Sequence, residues 1–114
     1  MDATVEEKSF RFAIRIVNLY HVLRREKREF VLSKQVMRSG TSIGANVAES
    51  QQAQSRADFA AKMNIALKET AETDYWMRLL HATEYLSDQE FQPLIGDCRE
   101  IGKMLTAIIK SARK

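Results

Sequence analysis

The sequence contains one cysteine, one proline and four glycines in 114 residues. With a single thiol, Cys98, the chain can form no internal disulfide and no zinc site built from several cysteines. Few residues force a helix to stop, and no stretch shows the sustained two-residue alternation of a strand. These absences predict an all-α protein.

The sequence also lacks the marks of a membrane or exported protein. No apolar run approaches the roughly 18 residues that a transmembrane helix needs. The opening MDATVEEK is acidic, whereas a signal peptide begins with basic residues followed by an apolar stretch. At 114 residues with 45% apolar and 29% charged side chains, we expect residues 1–114 to form one soluble domain, cytoplasmic and without membrane contact.

Four segments carry apolar residues at helical spacing. The expected helices cover residues 4–25, 34–52, 55–85 and 87–112. Thr4, Ser55 and Ser87 begin capping-box patterns, and Ser33 is the expected cap of the second helix. Pro93 either delays the start of the fourth helix or kinks it, and the sequence leaves that boundary open. Short connections between long helices favour antiparallel neighbours, hence an up-and-down four-helix bundle.

Patterns typical of catalytic or metal sites are missing. The residues three positions before His21 and His81 are not the glutamates of a di-iron bundle. Five residues rather than four separate Gly96 from Gly102, and Met104 stands where a phosphate-binding loop has Ser or Thr. The histidines have no evident Ser or Cys partner for a hydrolytic triad. We expect no enzymatic activity, no metal and no cofactor.

Positive charge is concentrated near the start of the chain. Residues 11–38 hold eight Lys or Arg and two Glu, a net of +6, whereas the whole chain carries +3. Such a segment attracts phosphate backbones or anionic surfaces, although a solvated helix face explains it equally well. The candidate nucleic-acid-binding residues are Arg11, Arg15, Arg24, Arg25, Lys27, Arg28, Lys34 and Arg38.

The stretch SGTSIGANVAES, residues 39–50, is rich in small side chains. As a loop it would offer backbone donors to a phosphate; as a helix it places Gly40, Gly44 and Ala48 on one face. Two glycines inside a helix cost roughly 2 kcal/mol relative to alanine. Close approach of a neighbouring helix offsets that cost. Because the apolar period continues through Ile43 and Val47, we favour helix packing over phosphate binding.

Polar residues on the second and third helices suggest a network between them. Buried polar groups must be hydrogen-bonded, so the hypothesis is a network that sets helix register rather than performing chemistry. Its candidate members are Asn46, Glu49, Lys68, Glu69, Glu72 and Tyr75.

The first helix is apolar over most of its circumference, with only a narrow polar strip through Arg11, Arg15, Asn18 and Arg25. A helix of this kind needs packing partners on more than one side. The pattern therefore favours an oligomer.

The segments KQVMRSGTSIGANVAES and DFAAKMNIALKETAETDYWMRLL resemble the signature of a bacterial four-helix-bundle family. That family was first described from open reading frames in intervening sequences of large-subunit ribosomal RNA genes, and its superfamily includes the accessory variability proteins of diversity-generating retroelements. The resemblance covers nearly the whole chain and implies a homopentameric barrel without enzymatic activity. The matching motif positions, with implied structural roles, are Arg38, Ser42, Asn46, Glu49, Lys68, Glu69, Glu72, Tyr75 and Trp76.

Two functions follow as alternatives. The first is a nucleic-acid-associated oligomer whose basic surface contacts RNA or DNA phosphates, as the resemblance implies for the retroelement branch. A pentamer would then carry a charge of about +15. The second is a protein-interaction scaffold or accessory subunit, whose partner is a protein encoded nearby and whose basic strip only keeps it soluble.

Overall fold

The computed structural model describes residues 3–113, and this part of the chain forms four α-helices and no strand. The helices are α1 (Val5–Arg25), α2 (Leu32–Ser50), α3 (Arg56–Ala82) and α4 (Asp88–Ala112). The prediction of an all-α protein with four helices is confirmed.

Neighbouring helices run antiparallel. Along α1 and α2, Gly44 lies against Ser9 and Gly40 lies against Ile16, so the two chains proceed in opposite directions. The same order holds between α3 and α4, where Asp74 contacts Arg99 and Thr70 contacts Gly102. α4 also packs against α1, and this is the least extensive of the four helix–helix contacts.

The core lies between the four helices and is built of aliphatic and sulfur-containing side chains together with Phe12 and Phe91. Fully buried residues come from every helix: Phe12, Ile16, Leu23, Val36, Ile43, Val47, Met63, Met77, Leu80, Ile101 and Leu105. Only one side of α1 enters this core. Phe10 and Ile14 remain 68% and 49% exposed, so part of the apolar surface of α1 is not buried within one chain.

Three helix starts follow the predicted caps. The Thr4 hydroxyl accepts a hydrogen bond from the Glu7 amide at 3.2 Å, and the Ser55 hydroxyl accepts one from Asp58 at 3.0 Å. Ser87 and Glu90 form a complete capping box. The boundary left open by the sequence is thereby settled, because α4 begins at Asp88 and continues through Pro93.

The start of α2 differs from the prediction. Ser33 is not the cap: it lies inside the helix, fully buried, and its Oγ makes no hydrogen bond within residues 3–113. Instead the Glu29 carboxylate accepts bonds from the amides of Val31, Leu32 and Ser33, at 3.2, 3.0 and 2.7 Å. The helix therefore starts two residues earlier than expected, at Leu32.

The ends of α2 and α3 come earlier than predicted, at Ser50 and Ala82. After α3 the backbone turns sharply, because Glu84 adopts a left-handed φ of 69°. The amides of Tyr85 and Leu86 then donate back to the carbonyl of Leu80 at 2.9 and 3.2 Å. These bonds satisfy the last turn of the helix and prevent its continuation to Tyr85.

Candidate nucleic-acid interface

The eight candidate cations lie on α1, on the α1–α2 turn and on the first turns of α2, but they do not form one continuous face. Arg11 and Arg15 lie midway along α1, one helical turn apart. Arg25 lies 14 positions after Arg11, about 21 Å further along the helix axis. The remaining five candidates lie near the end of the bundle that Arg25 marks: Arg24, Lys27, Arg28, Lys34 and Arg38.

Three of the eight cations are already neutralised by carboxylates of other helices. Arg15 pairs with Asp97 of α4. Lys27 lies 2.8 Å from the Glu90 carboxylate and also donates to the carbonyl of Tyr85. The Lys27 hydrogen bond is the largest cause of a Glu90 pKa below its usual value, and a backbone bond from Ser87 adds to it.

Arg38, the third, belongs to a network between α2 and α3. Its guanidinium pairs with Glu72 and lies 3.3 Å from Glu69. The Trp76 indole donates to the same Glu72 carboxylate at 2.9 Å. The bond from Trp76, followed by the bond from Arg38, lowers the pKa of Glu72. This cation therefore joins two helices and is less available to a phosphate.

The other candidate members of the polar network are placed differently. Glu49 pairs with Lys62 of α3 at 3.2 Å, which is a second link between the helices. Asn46 donates to the Ser42 carbonyl within its own helix at 2.8 Å. Tyr75 is 50% exposed, and Lys68 is also exposed without an ion pair in residues 3–113.

The small residues of α2 allow close approach to α1. A Cβ atom built on Gly40 would lie 2.8 Å from Cγ1 of Ile16, and one built on Gly44 would lie 3.2 Å from the Ser9 carbonyl oxygen. Real Cβ atoms essentially never show a contact below 3.0 Å. Ala48, one turn further, is exposed. The stretch 39–50 is helical and packed at its glycines, so its backbone amides are not offered to a phosphate.

Four of the eight cations are exposed and have no ion pair among the described residues: Arg11, Arg25, Arg28 and Lys34. Arg24 is half-buried, and its guanidinium carbon lies 5.1 Å from the ring centroids of both Tyr20 and Phe30. The Arg28 guanidinium carbon lies 5.4 Å from the same Phe30 ring. We call residues 24–34 the basic turn, because it holds three of these four exposed, unpaired cations.

A groove of about 600 Å³ that no pattern in the sequence indicated lies between α3 and α4. At its rim the Asp74 carboxylate bridges Arg78 at 2.7 Å and Arg99 at 2.8 Å. Burial raises the pKa of Asp74, but the hydrogen bonds from the two arginines outweigh it and hold that pKa below its usual value. Only the Asp74–Arg78 spacing was visible in the sequence, since Arg99 lies on another helix.

Cys98 contributes to the floor of the same groove. The thiol is buried and donates to the Thr70 carbonyl at 3.4 Å, and burial raises its pKa to about 12. A thiol with so high a pKa stays protonated near neutral pH and is a poor nucleophile. Cys98 is part of the buried core.

Residues 3–113 contain no group of three or more His, Cys, Asp or Glu side chains placed to hold a metal ion. In the same part of the chain, none of the four helices combines the length with the apolarity that crossing a bilayer requires.

Residues 1–107 match the family model described as "23S rRNA-intervening sequence protein". The chain is also similar to a crystal structure from Bacteroides thetaiotaomicron, described as a protein with unknown function from the S23 ribosomal protein family. The two sequences are 57% identical, and the match covers 94% of this chain and 99% of that one with a TM-score of 0.93. No curated protein matches the chain.

Proposed function

Since the chain belongs to the 23S rRNA-intervening sequence protein family, we propose that it is a non-enzymatic, oligomeric protein that binds the phosphate backbone of RNA or DNA. The family membership names a gene context and no ligand, so the proposal depends on the surface of this chain. The observation that carries it is the set of four exposed cations without a carboxylate partner in residues 3–113: Arg11, Arg25, Arg28 and Lys34.

An unpaired surface cation is available to a phosphate at little cost. A cation in an exposed ion pair first has to leave its carboxylate, although such a pair contributes only about 0–1 kcal/mol. Contacts of Lys and Arg with phosphates supply affinity and carry no sequence information. Arg15, Lys27 and Arg38 therefore hold helices together in this proposal, and the four unpaired cations make the first contacts.

The oligomer is supported by the exposed apolar side of α1. Phe10 and Ile14 lie one helical turn apart, 68% and 49% exposed. Phe10 borders a shallow hollow that also contacts Gly44 and Ala48 of α2, so bulky and small apolar groups share one surface. A homopentamer built through this surface would present five copies of the basic turn, and several weak phosphate contacts made at once give a much higher avidity.

Charge reversal with a matched control tests the binding. The variant Arg25→Glu/Arg28→Glu/Lys34→Glu removes three unpaired cations from the basic turn. The control Lys68→Glu/Lys103→Glu/Lys110→Glu changes the net charge equally at exposed positions on α3 and α4. Fluorescence anisotropy measures binding of labelled RNA and DNA, both single-stranded and duplex, at several salt concentrations.

We expect the wild type to lose affinity steeply as salt rises, because binding releases counterions. The basic-turn variant should bind on the order of tenfold more weakly at low salt and show a shallower salt dependence. The control should retain most of the affinity. Absence of wild-type binding to any nucleic acid at low salt would refute the proposal, as would equal losses in the two variants. Retention of one protein after nuclease treatment would then favour the scaffold alternative.

A further inference from the structure

Phe30 in the basic turn is an exposed aromatic ring surrounded by cations. Phe30 is 43% exposed, and the adjacent Val31 is 70% exposed. The guanidinium carbons of Arg24 and Arg28 lie 5.1 and 5.4 Å from the ring centroid. The guanidinium carbon of Arg24 also lies 5.1 Å from the ring centroid of Tyr20. Aromatic rings and guanidinium groups therefore alternate at this end of the bundle.

The backbone beneath Phe30 is held in place on both sides. Before it, Lys27 is anchored to Glu90 of α4 at 2.8 Å, and Arg28 takes a left-handed φ of 57°. The Glu29 amide donates to the Leu23 carbonyl at 2.9 Å, while its carboxylate caps α2. A ligand that meets Phe30 therefore pays little entropy for ordering this turn.

The role of Arg24 is also informative. Its Nη1 atom is buried and makes no hydrogen bond within residues 3–113, so the guanidinium serves as a flat packing surface rather than as a full set of donors. Its guanidinium carbon lies over both the Tyr20 and the Phe30 rings, so it packs against Phe30 and adds positive charge there. The exposed part of the ring is left for a partner.

We propose that Phe30 is a stacking platform for an unpaired base of a single-stranded nucleic acid, with Arg28 and Lys34 receiving the adjoining phosphates. The inference rests on the proposed function and adds the class of nucleic acid preferred. Every base has a π-face, so aromatic stacking tolerates any sequence, and single-strand binders combine it with a basic surface. In a duplex the bases are already stacked on each other and do not reach the ring.

An anionic bilayer is the less favoured occupant of this surface. Stable membrane attachment needs an extended apolar helix face or a lipid anchor. Phe30 and Val31 offer two side chains, closely surrounded by arginines. A single flat ring beside several cations is better suited to a base and its phosphates than to an anionic bilayer.

Substitution of Phe30 separates stacking from charge. Phe30→Leu keeps an apolar side chain of similar size but loses the flat ring, whereas Phe30→Trp keeps it. The control is Tyr75→Ala, because Tyr75 is a similarly exposed residue whose ring centroid lies 5.8 Å from the guanidinium carbon of Arg78. Binding is measured by anisotropy with single-stranded RNA, single-stranded DNA and a duplex of the same length. A second readout is quenching of 2-aminopurine placed within the single strand.

We expect Phe30→Leu to bind both single strands about five- to 100-fold more weakly and to lose the quenching. Duplex affinity should change less than about twofold, and Phe30→Trp and Tyr75→Ala should resemble the wild type. A loss of affinity confined to single-stranded RNA or to single-stranded DNA would also support the stacking platform, and it would show which of the two nucleic acids stacks on Phe30.

The inference is overturned if Phe30→Leu binds single strands as tightly as the wild type does. It is also overturned if the variant loses affinity for single strands and for the duplex to the same extent. In the first case, duplex binding by the wild type would still support the proposed function. If the wild type binds no nucleic acid at all, both the proposed function and the stacking platform are refuted. If Phe30→Leu instead loses retention on phosphatidylglycerol vesicles while base quenching is unchanged, the surface binds membranes.

Discussion

At the residue scale, the glycines show how one residue type takes different roles in one fold. Gly40 faces Ile16 so closely that an added Cβ would lie 2.8 and 2.9 Å from two of its carbons. Gly96, on α4, has no atom within 4 Å of such a Cβ. Ile16 is fully buried and branched at Cβ, so it cannot swing aside as the end of a flexible side chain could. Gly40 is thus required by packing, and Gly96 is not.

Alanine at these two positions should have opposite effects on stability. Gly40→Ala should lower the free energy of unfolding by about 1–3 kcal/mol, because the clash outweighs the gain in helix propensity. Gly96→Ala should raise it by up to about 1 kcal/mol. Urea denaturation at one protein concentration, followed by circular dichroism, measures both. A stabilised Gly40→Ala would mean that α1 and α2 approach less closely than described.

At the scale of the element, α2 is capped by the side chain of Glu29, a residue of the preceding turn, and not by the serine that its sequence pattern predicts. The Glu29 carboxylate satisfies three amides of the first turn, and its negative charge lies at the positive end of the helix dipole. Ser33, the predicted cap, is fully buried inside the helix. The left-handed backbone at Arg28 brings Glu29 into position.

Substitutions at the start of α2 distinguish the two caps. Glu29→Ala should lower the free energy of unfolding by about 1–3 kcal/mol, since it leaves three amides of the first turn without their acceptor, the buried amide of Ser33 among them. Ser33→Ala should change it by less than about 0.5 kcal/mol, because its hydroxyl has no partner to lose. Thermal and urea denaturation provide the measurement. If Ser33→Ala proved the more harmful of the two, the helix would begin as the sequence predicted.

At the scale of the whole molecule, one chain leaves an apolar surface on α1 uncovered while its core is complete. Phe10 and Ile14 lie on this surface and are among the most exposed large apolar side chains of the described residues. Contiguous exposed apolar groups mark interaction sites. We therefore expect this surface to form the contact between copies in the proposed homopentamer.

Aspartate on that surface should separate the oligomer from the fold. Phe10→Asp/Ile14→Asp should convert the wild type, expected at five times the mass of one chain, into monomers with unchanged helix content. Ile65→Asp on α3, also at an exposed position (41% exposed), is the control and should leave the mass unaltered. Size-exclusion chromatography with light scattering gives the masses. A monomeric wild type would refute the pentamer, and an intact oligomer in the double variant would place the contact elsewhere.

The sequence by itself determined the helical class, four helices and three of their caps. These features depend on residues within a few positions of one another: the apolar period of each helix, and the three-residue spacing from Thr4 to Glu7 or Ser87 to Glu90. The cap of α2 was missed because its geometry depends on a left-handed residue in the preceding turn, for which the sequence offers no glycine signal.

Only the tertiary structure decided which surface groups are free to act. The carboxylates that neutralise Arg15 and Lys27 lie 82 and 63 positions away along the chain, so local spacing could not reveal them. The exposure of Phe10 and Phe30 likewise depends on where α2 and α4 pack against α1. Charge and apolar patterns are local properties, whereas neutralisation and burial are properties of helices brought together. Of the eight candidate cations, four are both exposed and without an ion pair in residues 3–113, and three of these lie in the basic turn.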